Sequence, residues 1–514
     1  MAEHVDVIVV GAGLSGISAA YHLQTLCPDK TYAILEARDA IGGTWDLFRY
    51  PGIRSDSDMF TLGYRFKPYM SAKAIADGST ILDYVRETAR EHGIDRKIRF
   101  GQRVRRLSWS SERARWTVEA QDCRRRRRSG SESASERPLS RYTCNFVYMC
   151  AGYFDYAAGY TPRFEGSGDF AGRIVHPQHW TSDVAYEGKR VIVIGSGATA
   201  MTLVPELAKK AAHVVMLQRS PTYVMSLPAR DRFADRMRRR FSPPVAHAIT
   251  RWKNILIGML FFQFTQRQPA AAKRRFIEGV RAALGPDYDV EKHFTPRYNV
   301  WDQRVCLIPD ADLFQALRAG SASVVTDQID RFTRNGIRLR SGHELEADLI
   351  VTATGLEMQA LGGAQLSVNG RRIELRQHLN YKGCMLSDVP NFAYAFGYTN
   401  ASWTLKADLT AEFVCRVLRH MDATGTAECT PRKNDPTLRE ENWLTFTSGY
   451  IQRSLDRFPK QGSKHPFRLY QNYALDLLTL RYAPLEDGSL EFAFKRAEPE
   501  RSAAARLSDA DQPR

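Results

Sequence analysis

Several features that define common protein classes are missing from this chain of 514 residues. Its eight cysteines are scattered and include no C-x-x-C pair, which argues against a disulfide framework, a zinc site or a dithiol redox centre. No apolar run reaches the roughly 18 residues that a membrane-spanning helix needs. The N-terminal sequence MAEHVDVIVVGAG contains acidic residues and runs straight into a strand pattern, so no secretory signal is expected. These absences predict a cytoplasmic protein without a bound metal.

The composition is ordinary, but the charge is not. With 43% hydrophobic and 25% charged residues, the chain should form two or three globular domains with their own cores. The net charge of +16 comes partly from a run at Arg124–Arg128 between two strand-like segments. We interpret this run as a solvated hairpin loop, with contact to an anionic partner as the alternative. The polar, alanine-rich stretch 499–514 predicts a disordered tail.

A glycine-rich turn between a strand and a helix predicts a first dinucleotide site. Val5–Val10 is almost wholly aliphatic, as in buried parallel strands, and Gly11, Gly13 and Gly16 follow in a G-x-G-x-x-G pattern. These glycines allow a tight turn, close approach of a pyrophosphate and close packing of the helix. Glu36 ends the next strand, where a carboxylate suits ribose hydroxyls and repels a 2′-phosphate. Together these features predict a dinucleotide whose pyrophosphate lies at the start of the helix.

Another glycine-containing segment follows directly. It begins with Gly42-Gly43-Thr44-Trp45 and continues through Arg49-Tyr50-Pro51-Gly52 to Arg54-Ser55-Asp56. Two adjacent glycines would let the backbone lie against a flat ring system, although a plain turn explains the pair by itself. The segment therefore gains meaning only in combination with motifs further along the chain.

A second strand–turn–helix pattern begins at Lys189. Its turn reads Gly195-Ser196-Gly197-Ala198-Thr199-Ala200, with alanine in place of the third glycine, a known variant of the pattern. The following strand ends in Gln218-Arg219, at the point where the first site has Glu36. A guanidinium matches the geometry of a phosphate, so Arg219 favours NADP over NAD. A surface arginine at a strand end is the alternative.

Two such turns on one chain, one followed by an acid and one by an arginine, imply two different dinucleotides. A bound flavin that accepts hydride from NADPH explains both. A disulfide reductase would need a redox cysteine pair, which the sequence lacks. The predicted fold class is α/β, with two Rossmann-like dinucleotide-binding domains, one for FAD and one for NADP, and a helical insertion.

Between the two turns, Phe170, Gly172, His176 and Trp180 form an F-x-G-x-x-x-H-x-x-x-W pattern. This pattern resembles the fingerprint of the class B flavoprotein monooxygenases. Relatives that hydroxylate nitrogen tend to have another aromatic residue in place of the tryptophan, so Trp180 indicates the Baeyer–Villiger branch. Thr181 follows where the family usually has proline or aspartate, a departure that leaves the central residues in register.

Two further segments resemble the same family. GGTWDLFRYPGIRSDSD is similar to its second signature, and GYTNASWTLKADL is similar to the subgroup that contains the ethionamide-activating monooxygenase. The resemblance extends from Val5 to about Lys495 and implies FAD in the first site and NADPH in the second. The implied FAD-binding residues are Gly11, Gly13, Ser15, Gly16, Glu36, Gly43, Thr44, Trp45, Asp46, Arg54, Ser55, Asp56 and, through its backbone, Val104. The implied NADPH-binding residues are Gly195, Ser196, Gly197, Ala198, Thr199, Ala200, Gln218 and Arg219.

The resemblance also implies the catalytic residues. Arg304 would stabilise the negative charge of the activated oxygen, a role that suits a permanent cation in a dry site. Without the resemblance, we would interpret Arg304 as a phosphate ligand or a surface residue. Asp56 would pair with Arg304, and His176 would hold the linker between the domains rather than act as a general base. Gln303 stands where many relatives have a lysine that helps bind the 2′-phosphate, so NADPH preference should depend more on Arg219.

The predicted domain organisation interrupts each domain once. The FAD domain comprises residues 1–150 and 356–514, and the NADP domain comprises residues 157–226 and 304–350. Residues 227–300 are predicted to form the helical insertion.

The insertion is strongly basic. From Arg230 to Arg275 it has 12 Lys or Arg residues against Asp231 and Asp235, and these flank the apolar run Ile255–Phe262. We interpret the run as a core helix with solvated basic ends. The alternative is a patch on an anionic membrane surface, which would concentrate lipophilic substrates. Nucleic acid is not expected as a partner, because no recognition fold accompanies the charge.

The resemblance implies a reaction that consumes NADPH and O₂ and inserts one oxygen into a lipophilic ketone to give an ester or lactone. Thioethers and thioamides would be oxygenated at sulfur. One alternative is a monooxygenase of nitrogen or sulfur without ketone activity. Another is a basic flavoprotein that binds membranes or nucleic acid without turnover.

Overall fold

The computed structural model describes residues 3–124, 139–303, 305–444 and 446–495. The predictions for the arginine run beyond Arg124, for Arg304 and for the 499–514 tail therefore lie outside the described residues. The strands are β1 (Glu3–Val10), β2 (Tyr32–Glu36), β3 (Ile98–Phe100), β4 (Gln102–Ser110), β5 (Arg115–Asp122), β6 (Leu139–Met149), β7 (Phe154–Gly159), β8 (Arg173–Val175), β9 (Arg190–Ile194), β10 (His213–Gln218), β11 (Val224–Leu227), β12 (Cys306–Pro309), β13 (Ala322–Thr326), β14 (Ile329–Thr333), β15 (Gly336–Leu339), β16 (Glu344–Glu346), β17 (Leu349–Thr352), β18 (Leu356–Met358), β19 (Gln365–Val368), β20 (Arg371–Arg372), β21 (Asn380–Tyr381), β22 (Met385–Leu386), β23 (Phe392–Tyr394), β24 (Glu428–Pro431), β25 (Glu440–Glu441), β26 (Gln461–Gly462) and β27 (Leu490–Ala493). The α-helices are α1 (Leu14–Leu26), α2 (Thr44–Leu47), α3 (Met59–Leu62), α4 (Gly78–Glu91), α5 (Ala198–Leu207), α6 (Arg232–Arg240), α7 (Pro243–Arg267), α8 (Pro269–Leu284), α9 (Val290–Phe294), α10 (Asp312–Arg318), α11 (Trp403–Thr424), α12 (Gly449–Gln452) and α13 (Tyr473–Asp476).

The larger sheet is built around β1. Its main path runs β20-β19-β4-β5-β6-β1-β2-β3, with β23, β22 and β21 attached beside β6. β1 pairs in parallel with both β2 and β6, whereas β5 is antiparallel to its two neighbours. The four residues Val7–Val10 are all buried, because helices and other elements cover both faces of this parallel region. The aliphatic run that predicted a central strand is thus explained by burial on both sides.

A smaller sheet of five parallel strands has the order β13-β10-β9-β17-β8. Its central strand β9 has the buried residues Val191–Ile194, and α5 follows it after a glycine turn. The strands come from two stretches of chain, 173–218 and 322–352, with the insertion between them. A three-stranded antiparallel sheet, β14-β15-β16, lies between β13 and β17 in sequence.

Two linkers join the regions that contain the two sheets. The first leaves β6 and forms β7, and the second leaves β17 and forms β18. β7 and β18 pair with each other in antiparallel fashion, Leu356 opposite Gly159 and Met358 opposite Phe154. The two crossings of the chain are therefore held side by side by backbone hydrogen bonds.

The insertion leaves β11, forms α6 to α9 and returns at β12, which pairs in parallel with β11. Its longest helix, α7, packs against α3 in the region of the larger sheet. There the buried Arg251 donates hydrogen bonds to the carbonyl oxygens of Phe60, at 2.7 Å, and Gly63, at 2.8 Å. A cation is favourable at these carbonyls because they lie at the C-terminal end of α3. None of the described helices is long and apolar enough to cross a membrane.

The apolar run Ile255–Phe262 is helical, as predicted, but the interpretation as a core helix is wrong for one face. Ile255 is buried, whereas Leu256, Ile257 and Leu260 are more than half exposed. A helix in contact with neighbours on one side only buries one stripe of its surface. The exposed stripe here is apolar.

Candidate functional site: two glycine turns and a shared linker

The first glycine turn lies tightly against the end of β6. Gly11 has φ +106°, and a Cβ there would lie 2.6 Å from the carbonyl oxygen of Cys150. Its own N–H donates to the carbonyl of Leu35 at 2.8 Å, which ties the turn to β2. A Cβ on Gly16 would overlap the carbonyl oxygen of Gly11. Two of the three glycines are therefore required by the backbone itself.

The third glycine, Gly13, opens the N-terminus of α1 towards a cleft. It caps α1 without a side-chain hydrogen bond to the first turn, which leaves amide groups for an anion. Gly43, at φ +54°, lies across from it, since a Cβ on Gly43 would be 3.1 Å from the Cα of Gly13. Both glycines line the same cleft. Because neither Gly13 nor Gly43 has a side chain, a pyrophosphate would fit beside their backbones.

Glu36 lies at the end of β2, 5% exposed. Its carboxylate accepts the backbone N–H of Ala12 at 2.6 Å and that of Arg38 at 2.8 Å. Burial raises the pKa of Glu36, while these two hydrogen bonds oppose the rise. The carboxylate is thus fixed beside the glycine turn, in position for the hydroxyls of a ribose.

The cleft itself has a volume of about 520 Å³ and extends from β4 past the glycine turn to the start of α11. Nine of the residues predicted to bind FAD line it. These are Gly11, Gly13, Ser15, Glu36, Gly43, Thr44, Trp45, Asp56 and Val104. The cleft thus brings together residues from five separate segments of the chain, and a long, flat dinucleotide matches its extended shape.

Three other predicted FAD residues contact protein groups, and their binding to FAD stays a prediction. Asp46 is buried and forms ion pairs with Arg38, Arg49 and Arg86. Ser55 donates to the carbonyl of Ser57 at 2.6 Å.

Arg54, the third of these, reaches across to the region of the smaller sheet. It forms an ion pair with Asp312 of α10 at 2.5 Å and donates to the carbonyl of Met201 in α5 at 3.5 Å. A Cβ on Gly52 would lie 2.9 Å from the Cβ of Glu206, also in α5. The RYPGIRSD segment therefore forms part of the contact between the two regions.

Aromatic residues that the sequence analysis did not single out also line the cleft. The indole Nε1 of Trp403 donates to the Oγ of Ser15 at 2.7 Å, and the ring of Tyr153 stacks on Trp403 with centroids 5.0 Å apart. The hydroxyl of Tyr156 lies 3.2 Å from that of Thr44, and burial raises the pKa of Tyr156 to about 12. Tyr153 and Tyr156 follow the end of β6, and ligands of such folds bind beyond strand ends. That position was the signal that could have identified them.

The second glycine turn repeats the geometry of the first. Gly195 has φ +135°, and a Cβ there would overlap the carbonyl oxygen of Ala353 at the end of β17. Its N–H donates to the carbonyl of Leu217 at 2.8 Å, the same distance as in the first turn. Gly197 caps α5 without a side-chain hydrogen bond, and nothing lies within 4 Å of its Cβ position. Space for a second pyrophosphate therefore exists at this helix start.

The neighbouring predicted residues differ in orientation. Gln218 is buried, and its amide donates to the carbonyl of His293 in α9 and to the hydroxyl of Thr326, both at 2.8 Å. Arg219 is exposed at the end of β10. Ser196 donates to the carbonyl of Ser220 at 3.0 Å. Of these residues, Arg219 presents its side chain to solvent, where a 2′-phosphate would bind.

His176 of the fingerprint lies at the paired linkers. Its Nε2 donates to the carbonyl of Gly355 at 3.0 Å, and its Nδ1 accepts the N–H of Gln178 at 3.1 Å. A Cβ on Gly159 of β7 would overlap the imidazole ring. Burial lowers the pKa of His176, which keeps the ring neutral. The ring therefore contacts both crossings of the chain.

The other fingerprint residues pack in the region of the smaller sheet. Phe170 is buried among residues on one face of this sheet, and Trp180 is buried on the other face. A Cβ on Gly172 would lie 2.6 Å from the carbonyl oxygen of Asp348. These residues hold the segment in which His176 lies.

Asp56 lines the cleft, and its predicted partner Arg304 lies outside the described residues. Their pairing stays a prediction. Within the described ranges, no group of three or more His, Cys, Asp or Glu side chains is arranged to hold a metal ion.

Two glycine turns of this kind, joined by paired linkers, define an oxidoreductase fold with two dinucleotide sites. The family model for flavin-binding monooxygenase-like proteins matches residues 65–248, and that for NAD(P)-binding Rossmann-like domains matches residues 9–76. FAD-containing monooxygenase EthA of Mycobacterium tuberculosis (strain ATCC 25618 / H37Rv) is 52% identical over 500 residues, which cover 97% of this chain and 99% of that protein. A putative FAD-containing monooxygenase, MymA, of the same strain is 48% identical over 96% of this chain and 98% of its own length. The chain therefore belongs to the family of FAD-containing monooxygenases.

Solved structures show the same fold. A steroid monooxygenase bound to NADP matches with a TM-score of 0.67 at 22% identity, over 84% of this chain and 88% of that one. An open form of cyclohexanone monooxygenase matches with a TM-score of 0.67 at 19% identity, over 84% and 90%. The predicted fold class, the predicted family and the predicted cofactors FAD and NADPH are confirmed.

Proposed function

We propose that this protein is a Baeyer–Villiger monooxygenase that converts a lipophilic ketone into an ester or lactone. One oxygen atom of O₂ enters the product, and the other leaves as water with two electrons from NADPH. The main support is the fingerprint from Phe170 to Trp180, whose last residue is a tryptophan. It occurs here in a chain that belongs to the family of FAD-containing monooxygenases. Its histidine contacts both linkers between the dinucleotide sites, as a reaction that couples the two sites requires.

FAD, when bound, accepts hydride from NADPH and activates O₂. The chain's own residues bind and orient the reactants. The amides after Gly13 bind the FAD pyrophosphate, and the carboxylate of Glu36 binds its ribose hydroxyls. In the second site, the turn around Gly197 binds the NADPH pyrophosphate, and the guanidinium of Arg219 binds the 2′-phosphate.

The catalytic charge in this proposal comes from Arg304. A guanidinium stays protonated throughout, so it would stabilise negative charge that develops on the reacting oxygen atoms. Asp56, which lines the cleft, holds that guanidinium in place. The neutral imidazole of His176 would keep the two linkers together during the reaction.

A lipophilic substrate is supported by the aromatic surroundings of the cleft. Tyr153 and Trp403, which line it, both pack against Phe396, with ring centroids 5.3 and 5.2 Å apart, respectively. Two small apolar cavities of about 30 and 20 Å³ adjoin Tyr153 and Phe396. An apolar wall of this kind favours a hydrocarbon chain or ring and excludes water from the reacting groups. Among similar structures, cyclohexanone monooxygenase is named for a cyclic ketone.

The test uses the purified holoprotein with NADPH, ¹⁸O₂ and either a long-chain ketone or a thioether. An ester with one ¹⁸O atom, detected by mass spectrometry and matched by NADPH consumption, is the expected result. In Arg304→Ala, reduction of the flavin by NADPH should survive while ester formation is lost. The matched control is Arg318→Ala, at the exposed end of α10, which should behave as the unchanged protein.

Two results would contradict the proposal. Ester formation in Arg304→Ala at the unchanged rate would remove the proposed role of the guanidinium. Formation of a sulfoxide from the thioether, with no ester formed from any ketone, would also contradict it. The proposed activity would then be oxygenation of sulfur and not Baeyer–Villiger oxidation.

A further inference from the structure

The longest helix of the insertion, α7, has the reverse of the usual amphipathic pattern. Its buried face includes the polar side chains of His247, Thr250 and Arg251. Its exposed face is apolar, with five large side chains between 44% and 71% exposed: Val245, Trp252, Leu256, Ile257 and Leu260. Spacings of seven and four residues place Val245, Trp252, Leu256 and Leu260 on one side of the helix. In water a surface helix normally turns this stripe inwards.

A neighbouring segment extends the apolar surface. The ring of Trp252 contacts that of Tyr473 in α13, with centroids 5.8 Å apart. Beyond Tyr473, the side chains of Leu475, Leu478 and Tyr482 are between 41% and 65% exposed. The surface thus comprises two adjoining segments, and contiguous apolar patches of this kind usually mark an interaction site.

Basic residues lie at both ends of this face. Arg236, Arg239 and Arg240 are exposed on α6 before it, and Arg267, Arg274 and Arg275 are exposed after it. No aspartate or glutamate occurs between Asp235 and Glu278. An apolar strip with cations at both ends complements the surface of an anionic bilayer, where the strip enters the interface and the cations meet lipid headgroups.

We propose that the exposed face of α7 docks this protein on anionic lipid membranes. A second copy of the chain fits less well, because facing copies would bring two sets of exposed arginines together and α7 itself has no aspartate or glutamate to pair with them. The inference goes beyond the proposed activity, since docking needs no turnover. Docking would also bring the proposed reaction close to the membrane. The ring of Phe262, near the end of α7, contacts that of Trp301 with centroids 5.8 Å apart, and Trp301 precedes Arg304 by three residues.

The experiment measures co-sedimentation of the full-length holoprotein with vesicles of phosphatidylcholine, with and without phosphatidylglycerol. Binding is expected only with the anionic lipid, and added salt should weaken it. The double substitution Leu256→Ser/Leu260→Ser should weaken binding at least about tenfold, from the lost burial of two leucines. Arg239→Gln and Arg240→Gln should each weaken it about fivefold. Vesicles with brominated acyl chains should quench tryptophan fluorescence in the unchanged protein and less in Trp252→Phe.

Matched controls make the assignment specific. Phe494→Ser removes an exposed apolar side chain just after β27, and Arg318→Gln removes an exposed cation from α10, so neither should alter binding. Flavin absorbance and NADPH oxidation without vesicles should be unchanged in every variant, because none of these residues lines the cofactor cleft.

Failure of the anionic vesicles to sediment the protein would overturn the proposal, as would equal losses in the controls. A dimer in light scattering that Leu256→Ser/Leu260→Ser dissociates would also overturn it, in favour of contact between two copies. Vesicle binding by a protein that forms no ester would leave the docking inference intact and contradict only the proposed function.

Discussion

The imidazole Nε2 of His176 donates a hydrogen bond to the carbonyl of Gly355 at 3.0 Å, which joins the fingerprint to the linker that follows β17. The same ring lies against Gly159 of the other linker. One side chain thereby fixes both crossings between the dinucleotide sites. In its neutral form it contributes a hydrogen bond and shape rather than a proton.

In His176→Ala, we expect NADPH oxidation to become less tightly coupled to oxygenation of the substrate, while cofactor binding is retained. The variant should retain FAD and oxidise NADPH, but about fivefold more of the consumed O₂ should appear as hydrogen peroxide, the effect of losing about one hydrogen bond. The ratio of oxygenated product to NADPH measures this coupling. His179→Ala changes the exposed histidine three residues on and serves as the control. Unchanged coupling in His176→Ala would show that the linkers do not need this contact.

The two glycine turns allow a paired prediction. Alanine at Gly11 would place its Cβ 2.6 Å from the carbonyl of Cys150, and alanine at Gly195 would overlap the carbonyl of Ala353. Both residues also have positive φ, which costs a side chain about 1–2 kcal/mol. Gly11→Ala should therefore yield protein without FAD, whereas Gly195→Ala should remain yellow and lose NADPH oxidation. Flavin absorbance and NADPH consumption of the purified variants measure the two effects.

This pair is its own control, because each substitution damages one site and spares the other. Circular dichroism checks that both variants fold. Loss of FAD from both variants, with folding intact, would contradict the assignment of separate sites to the two turns.

Arg219 should determine the choice of nicotinamide cofactor. Its side chain is exposed at the end of β10. A charge-assisted hydrogen bond to a 2′-phosphate contributes about 1.5–3 kcal/mol. Arg219→Gln should therefore raise the KM for NADPH about tenfold to a hundredfold and leave that for NADH unchanged. Initial rates with both cofactors test this, with Arg318→Gln as the control, and equal changes for both cofactors would contradict it.

The sequence predicted the turns well because their geometry is local. Gly11 and Gly195 each follow an aliphatic strand and precede a helix, and that order alone requires a positive φ and a close backbone contact. The fold class followed from two such units. Nothing in this reasoning needed a residue far away in the chain.

Contacts between distant segments could not be predicted in the same way. Arg54, a candidate for FAD, forms an ion pair with Asp312, which lies 258 residues further along the chain. Gln218, a candidate for NADPH, donates a hydrogen bond from its amide to the carbonyl of His293 in the insertion. Trp403 contacts Ser15 across 388 residues. Such partners are set by tertiary packing, which a single motif does not encode.

The same limit applies to α7. A run such as Ile255–Phe262 predicts a helix with an apolar face, but it does not predict which face of that helix packs against the rest of the protein. The buried Arg251, bonded to the end of α3, orients the helix so that Leu256 and Leu260 face outwards. One buried cation thus explains why the core-helix interpretation was wrong for one face of the helix.

The final prediction concerns His247, which is 4% exposed beneath the same helix. Burial and the nearby charge of Arg251 lower its pKa to about 4, below the value of about 6.5 in an unfolded chain. Because the unfolded state binds the proton more readily, stability is fully present above about pH 6.5 and is lost as the pH falls towards 4. The free energy of unfolding should decrease by up to about 3 kcal/mol across this window. Denaturant titrations on both sides of the window measure the change.

His247→Asn isolates this effect. Asparagine retains an acceptor for the N–H of Tyr69, which bonds to the imidazole at 3.3 Å, but it does not titrate. The variant should therefore lose less stability than the unchanged protein as the pH falls, and the two curves should converge at low pH. His343→Asn, at an exposed position, should leave the pH dependence as it is. The same slope in His247→Asn and in the unchanged protein would mean that other groups account for acid destabilisation, since the only proton removed by this substitution is the one on the buried ring.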